Sequence, residues 1–393
     1  MQKDEGASVR IYNLAKSLAD SGNQVTVVLP GDKATSESVD GVTIRGFRGI
    51  MPRVVLEVLR RLVNVTRPTS LYFYDFLFAF RIRRVVLEAD IVQMEHPSST
   101  GLLISFIKKV LKKPVVVDCH DVFQALRLQH TSILRRMLET FLEKLAYENA
   151  DLLLTVSETE KDYLISTGFK KCKIEVIPNG VDTRFFVKSP DQPETRKKYA
   201  LVGLRTVVFV GNLEYSPNRE AIQALSSVIV PRVLEEIKDV KFVVVGKSRD
   251  KLELPGIMFT GFVDNVSEIL SISDVAVAPL FHGSGTRLKI LEYFSCGLPV
   301  VSTSIGAEGL EVKDGVNIFI EDDLYSFALR VIELLRSEKL SSAMGEAARL
   351  LVTRNYDWTQ ITRKLETVLS RLLSEQFYGG LNSQASTTHI SVQ

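Results

Sequence analysis

The residues best placed to do chemistry lie in one run, Gly283-Ser284-Gly285-Thr286-Arg287-Leu288-Lys289-Ile290-Leu291-Glu292. Glycines let a backbone approach a ligand closely. A helix starting straight afterwards presents free N–H groups and the positive end of its dipole. Together they make an anion cradle suited to a diphosphate. Arg287 and Lys289 can neutralise phosphate. Glu292 shares a helix face with Lys289, and its carboxylate can accept hydrogen bonds from both hydroxyls of a ribose. Taken alone, Lys289 and Glu292 fit equally well a surface ion pair on an amphipathic helix. The run has GxG, but leucine stands where a dinucleotide fingerprint needs its third glycine, and it falls late in the chain, so that fingerprint fails.

The elements that must position this run are legible around it. DVAVAPL (274–280) and LPVVST (298–303) read as strands flanking the loop and helix. Short Val- and Ile-rich segments of the same kind recur at 24–30, 90–94, 114–119, 151–156 and 173–178, and again at 205–211, 241–246 and 257–261. Stretches of helical length separate them, which predicts parallel strands joined by crossover helices and buried on both faces. The polar, proline-bearing stretch VDTRFFVKSPDQPETRKKYA (181–200) reads as a linker followed by a helix. The expected class is therefore α/β, with two Rossmann-like domains facing across a cleft and ligands at the carboxyl ends of the strands. The expected bounds are 1–180 and 181–355, then a helix over 356–376 packing back toward the first domain, and a disordered tail over 377–393. The first strong pattern is a helix, SVRIYNLAKSLADSG (8–22), preceded only by Glu5-Gly6. A parallel α/β domain usually opens on a strand and glycine turn, so the expectation is a first strand lost to a misplaced start or a truncation.

Composition narrows the classes. The chain has 393 residues, 45% hydrophobic and 24% charged, with a formal net charge of +2. That near-neutral balance gives no electrostatic footprint for nucleic acid. Cys119, Cys172 and Cys296 are far apart in no metal spacing and read as small buried hydrophobes in a reducing cytosol. No DxD or His/Asp cluster suggests a divalent metal, and no other cofactor is expected. The N-terminus does not read as a signal peptide, and no apolar run approaches the ~20 residues a bilayer span needs. The expected location is cytoplasmic. The stretch 53–87 carries seven arginines interleaved with Leu71-Tyr72-Phe73-Tyr74 and Phe76-Leu77-Phe78. It suits peripheral contact with the inner face of an anionic membrane or with a lipid-linked acceptor; it equally suits core-packed helices with solvated arginine faces.

GSGTRLKILEYFSCGLPVVST (283–303) resembles the donor-binding signature of the large retaining glycosyltransferase family of GT-B architecture, glycosyltransferase family 4, which includes glycogen synthase-like and mannosyltransferase-like enzymes. NLAKSLADSGNQVTVVLP (13–30), VVVDCHDV (115–122), VIPNGVD (176–182) and FVGNLEYSPNREAI (209–222) resemble its other landmarks in order. The resemblance implies transfer of a hexosyl unit from a nucleotide-diphosphate sugar to a glycan or lipid-linked acceptor, with retention and without a metal. It makes Glu292 the ribose binder and His120 the histidine beside the sugar's reacting carbon. Gly6 becomes part of a glycine loop facing the diphosphate. Gly211 and Asn212 fall in the first donor-domain loop, where Asn212 stands in place of a phosphate-binding arginine; Arg287 and Lys289 are expected to substitute for it. Ser284 stands where the family has a first glutamate, which leaves the usual contact to the transferred sugar without its residue. Gly261, Phe262 and Val263 are expected against the nucleobase, and Glu308 either touches the sugar or is a solvated loop carboxylate. Two rivals share the fold: a nucleotide-sugar epimerase, and a degenerate or truncated homologue that binds nucleotide-sugar without turnover.

Overall fold

The computed structural model describes residues 6–31, 33–48, 78–95, 97–119, 133–188, 193–249, 252–282 and 286–385. They divide into two compact units. One holds the chain up to Ile177 together with Thr362 onward, and the other holds Pro178–Ile361.

In the first unit β1 (Thr26–Gly31), β2 (Thr35–Val39) and β3 (Val42–Arg48) form a sheet in the order β1-β3-β2. Strands β4 (Val92–Met94), β5 (Val115–Cys119), β6 (Leu152–Thr155) and β7 (Ile174–Val176) form a second, wholly parallel sheet in chain order. The expected all-parallel pattern fails at β2, which runs antiparallel to β3. Asp40 and Gly41 join them with φ of 50° and 78°, as a two-residue turn of the primed type requires. Every residue of β2 is exposed, so TSESV carries none of the apolar signal that marks its neighbours.

Strand β5 is buried along its whole length. Val115, Val117 and Cys119 pack with Leu103, Ile104 and Ile107 on one side of the chain and with Ala146 and Tyr147 of the helix Ile133–Asn149. At about 1.5–3 kcal/mol for each fully buried aliphatic side chain, this core is what fixes the end of β5 from which residue 120 departs.

The second unit contains β8 (Arg205–Val210), β9 (Val240–Val245), β10 (Ile257–Gly261), β11 (Val275–Ala278), β12 (Val300–Ser302) and β13 (Phe319–Ile320). Their order is β10-β9-β8-β11-β12-β13, and every neighbouring pair is parallel. Side chains alternate between faces as strand geometry demands. Val207, Phe209, Phe242 and Val244 join one core, while Val208, Val243, Val245 and Ala276 join the other. The chain moves outward from β8 through β9 to β10, then crosses back to β11. The order therefore reverses between β8 and β11, where open α/β sheets leave a crevice for a ligand at the strands' carboxyl ends.

Two stretches differ in detail from their expected form. The start of the stretch 181–200 is held in place along its length. Arg349 donates to the carbonyls of Thr183 (2.7 Å) and Phe186 (3.0 Å), Ser267 Oγ donates to the carbonyl of Phe185, and Val181 N–H donates to the carbonyl of Tyr356. A guanidinium's several donors hold otherwise unsatisfied carbonyls in place. The last helix, Trp358–Ala385, runs past the point where a disordered tail was expected. A formed helix gains one hydrogen bond per added residue, which carries it through Gly379-Gly380. Residues 386–393 lie outside the described residues.

Candidate functional site

Three glycines stand at the carboxyl ends of neighbouring strands. Gly211 follows β8 and donates its N–H to Val245 (2.8 Å); Gly246 follows β9 and donates to Gly261 at the end of β10 (3.0 Å). A Cβ on Gly246 would lie 1.9 Å from the Gly211 carbonyl oxygen, so the two strand ends can lie this close only without a side chain there. The result is an edge of bare backbone beside the switch point.

The helix Leu288–Ser295 begins on the other side of that point, shortly after β11. Ile290, Leu291, Tyr293 and Phe294 are wholly buried and fix its orientation against the sheet. The Tyr293 hydroxyl accepts from Val210 N–H at 2.7 Å, tying the helix to the end of β8. Arg287 is the N-cap residue, with extended backbone and no side-chain capping bond, so the first turn keeps N–H groups that an anion can accept from. Thr286 is 9% exposed, and its buried Oγ1 has no hydrogen-bond partner among the described residues. Leaving such a hydroxyl unsatisfied costs about 1–3 kcal/mol, so its retention at a helix start calls for a reason.

Lys289 and Glu292 project from this helix and both keep partial exposure. Lys289 Nζ donates to Asn218 Oδ1 at 2.8 Å and sits 4.2 Å from the centre of the Phe209 ring. Burial, then the neighbouring Arg287, lowers the Lys289 ammonium to about 7, although Glu292 opposes this. Burial raises the Glu292 carboxyl to about 7, against the pull of Lys289. Two groups of opposite sign are thus poised near neutrality on one helix, a feature that clusters at functional sites.

Other expected residues fall variously. Asn212 Oδ1 accepts from Glu214 N–H at 3.0 Å, and its backbone carbonyl accepts from Asn218 Nδ2 at 2.8 Å and from Tyr215 N–H, so the residue also shapes the loop. Arg219 likewise donates to the carbonyls of Leu213 and Glu214. Gly261 has φ of 71°. Phe262 beside it is 55% exposed, with Lys247 Nζ 5.0 Å from its ring centre, while Val263 packs into the core. Glu308 is exposed on the loop after β12. Gly6 is the first residue of the helix Gly6–Asp20 in the other unit. His120, Gly283, Ser284 and Gly285, and most of 53–87, lie outside the described residues. Among the described residues, no three His, Cys, Asp or Glu side chains are grouped to hold a metal ion.

Sequence reasoning missed Asn218, Phe209 and Tyr293. Phe209 and Tyr293 stand among apolar residues, and Asn218 is a polar residue early in a helix. Nothing local showed that their partners lie on another element.

Comparison with known proteins bears on the family and the fold. Residues 5–185 match the family model described as Glycosyltransferase Family 4, and residues 204–337 match Glycosyl transferases group 1. The chain is 24% identical to the phosphatidyl-myo-inositol mannosyltransferase of Mycobacterium leprae over 384 residues, covering 92% of this chain and 93% of that one. It is 25% identical over 301 residues to an Escherichia coli protein named UDP-Gal:alpha-D-GlcNAc-diphosphoundecaprenol alpha-1,3-galactosyltransferase, covering 70% of this chain and 74% of that one. Among solved structures, Anabaena HepE in complex with UDP-glucose superposes with a TM-score of 0.70 at 16% identity, over 94% of this chain and 97% of that chain. WaaG, a glycosyltransferase of lipopolysaccharide biosynthesis, superposes with a TM-score of 0.65 at 15% identity, over 92% of this chain and 95% of that chain. These likenesses show the fold, which is that of GT-B glycosyltransferases.

Proposed function

The chain belongs to glycosyltransferase family 4, and from that premise we propose that this glycosyltransferase is a retaining hexosyltransferase that takes its sugar from a nucleotide-diphosphate donor. The observation that carries the reading is the buried Thr286 hydroxyl at the start of the Leu288–Ser295 helix, beside the switch point, which has no partner among the described residues. A diphosphate oxygen could accept from Thr286 and from open N–H groups of the first turn.

In the reaction so read, the bond between the sugar's anomeric carbon and the diphosphate oxygen breaks, and negative charge grows on the leaving phosphate. The helix start, Arg287 and Lys289 stabilise that charge through donors fixed in advance. Glu292 holds the ribose hydroxyls. The nucleobase lies along the backbone at Gly261, Phe262 and Val263. Gly6 and His120 keep the roles their resemblance gives them, against the diphosphate and the transferred sugar. The cations stand in for a divalent metal, so activity is expected to survive EDTA.

The acceptor is read as a glycan or a lipid-linked glycan, in keeping with the lipid acceptors in the names of the mannosyl- and galactosyltransferase relatives. No helix among the described residues is long and apolar enough to cross a membrane. The helix Phe78–Glu88 exposes Arg81, Arg83 and Arg84 beside Phe80 and Leu87. That face supports peripheral contact with an anionic leaflet from the cytoplasmic side. Flotation with vesicles of phosphatidylglycerol, set against phosphatidylcholine alone, tests it.

A panel of UDP-, GDP- and ADP-sugars scored by thermal shift tests the donor reading, because a ligand bound only to the folded chain stabilises it by mass action. One nucleotide class should raise the melting temperature, and its donor should then yield product with the anomeric configuration of the substrate. No shift with any donor rejects the reading; an inverted product rejects retention.

A further inference from the structure

The Lys289 ammonium is a partly buried cation that forms no ion pair within 4.0 Å among the described residues. Glu292 on the same helix attracts it from farther off, and its hydrogen bond goes to the neutral Asn218 Oδ1. Asn218 is itself 7% exposed. Its amide is fully assigned by its neighbours, since only Oδ1 can accept from an ammonium and only Nδ2 can donate to the Asn212 carbonyl. That single side chain therefore joins the loop after β8 to the helix after β11, the two segments that flank the switch point. Room for it exists because residue 211 is glycine: a Cβ there would lie 2.8 Å from the Asn218 amide. The Phe209 ring supports the ammonium from another side at 4.2 Å, an attraction that does not neutralise its charge.

We infer that Asn218 is a positioning residue that aims Lys289 at the donor's diphosphate without itself neutralising the ammonium, supplying from the helix the cation that the 211–218 loop does not itself carry. This rests on the donor reading above and deepens it. The neutrality of Asn218 is the point of the design. Aspartate in its place would still accept from Lys289, but as an ion pair that competes with phosphate, and its second oxygen would face the Asn212 carbonyl with no proton to share. Serine would lose the bridge, leaving a flexible lysine stem to find the phosphate unaided. The loop contributes backbone and shape; the helix contributes the charge, and the amide registers one against the other.

The test uses the full chain and calorimetry with UDP, GDP and ADP set against uridine, guanosine and adenosine. Asn218→Asp should weaken the preferred nucleoside diphosphate on the order of tenfold, the scale of one charge-assisted hydrogen bond, and leave the matching nucleoside essentially unchanged. In a Lys289→Met background the same substitution should have no further effect on diphosphate binding. Asn218→Ser serves as a second variant should the aspartate chain not fold, with the same selective loss expected. Equal losses for nucleoside and diphosphate, or a loss that persists undiminished without Lys289, would overturn the assignment while leaving the donor reading standing. A wild-type chain that binds no nucleoside diphosphate sinks both.

Discussion

Arg10 Nε and Asp118 Oδ2 stand 2.8 Å apart, with side chains 1% and 0% exposed. The pair locks the helix Gly6–Asp20 onto the end of β5, two residues before His120. Removing one member of a buried pair takes one compensating contact from the other's charge, which costs up to about 3–5 kcal/mol. Asp118→Asn and Arg10→Met should each lower stability on that scale in urea unfolding. The double variant Arg10→Met/Asp118→Leu should regain much of the loss, since apolar replacement of both partners is often close to neutral. Additive losses would show that the two residues act separately.

The pH dependence follows from Lys289 and Glu292. Glu292 is raised from 4.5 to about 7, so across that window the folded chain holds a proton the unfolded chain has lost, and this group's contribution to stability falls as pH rises. Lys289 is lowered from 10.5 to about 7, so above pH 7 the unfolded chain holds the extra proton, and its contribution rises with pH. Donor binding wants the opposite charge states: a protonated lysine for phosphate and an ionised carboxylate for the ribose. Nucleoside diphosphate affinity should therefore peak near neutrality. Lys289→Met should flatten the alkaline limb and Glu292→Gln the acidic limb; unchanged profiles in both would disprove the coupling.

The edge at β8 and β9 admits no side chain at residue 246. Gly246→Ala places a Cβ against the Gly211 carbonyl at a backbone φ of 150°, and the strand ends must separate. Loss of more than about 1 kcal/mol of stability is expected, from a conformation alanine disfavours combined with a backbone clash. Nucleotide binding should fall further than a stability change alone explains, read by calorimetry well below the melting temperature.

Two arginines near the switch point should behave differently. Arg219 is occupied with loop carbonyls, while Arg287 caps the helix that faces the crevice. Arg287→Ala should raise KM for the donor on the order of tenfold, the value of one charged contact. Arg219→Ala should move KM by less. Equal effects would place the diphosphate elsewhere.

The parallel strands were legible because burial on both faces forces unbroken apolar runs such as VVVDC and RTVVFV. Strand β2 was not, since TSESV is exposed at every position and owes its place to the turn at Asp40-Gly41. The helix carrying Lys289 and Glu292 was legible because its glycines, cations and carboxylate are consecutive. Asn218 was invisible for the opposite reason. Its significance is a hydrogen bond to a residue 71 positions away, and asparagine early in a helix is ordinary. Sequence position likewise could not reveal that Asn212 Oδ1 closes a turn with Glu214.

The bare strand ends at Gly211, Gly246 and Gly261 carry one more implication. A surface built from peptide groups has no identity to alter, so on the donor reading proposed above it would treat different nucleotides alike. Discrimination between donors would then fall to the few side chains that border it, among them the exposed Phe262 with Lys247 over its ring. On that reading, redirecting the protein toward another nucleotide is a matter of rewriting the border while the floor stays untouched.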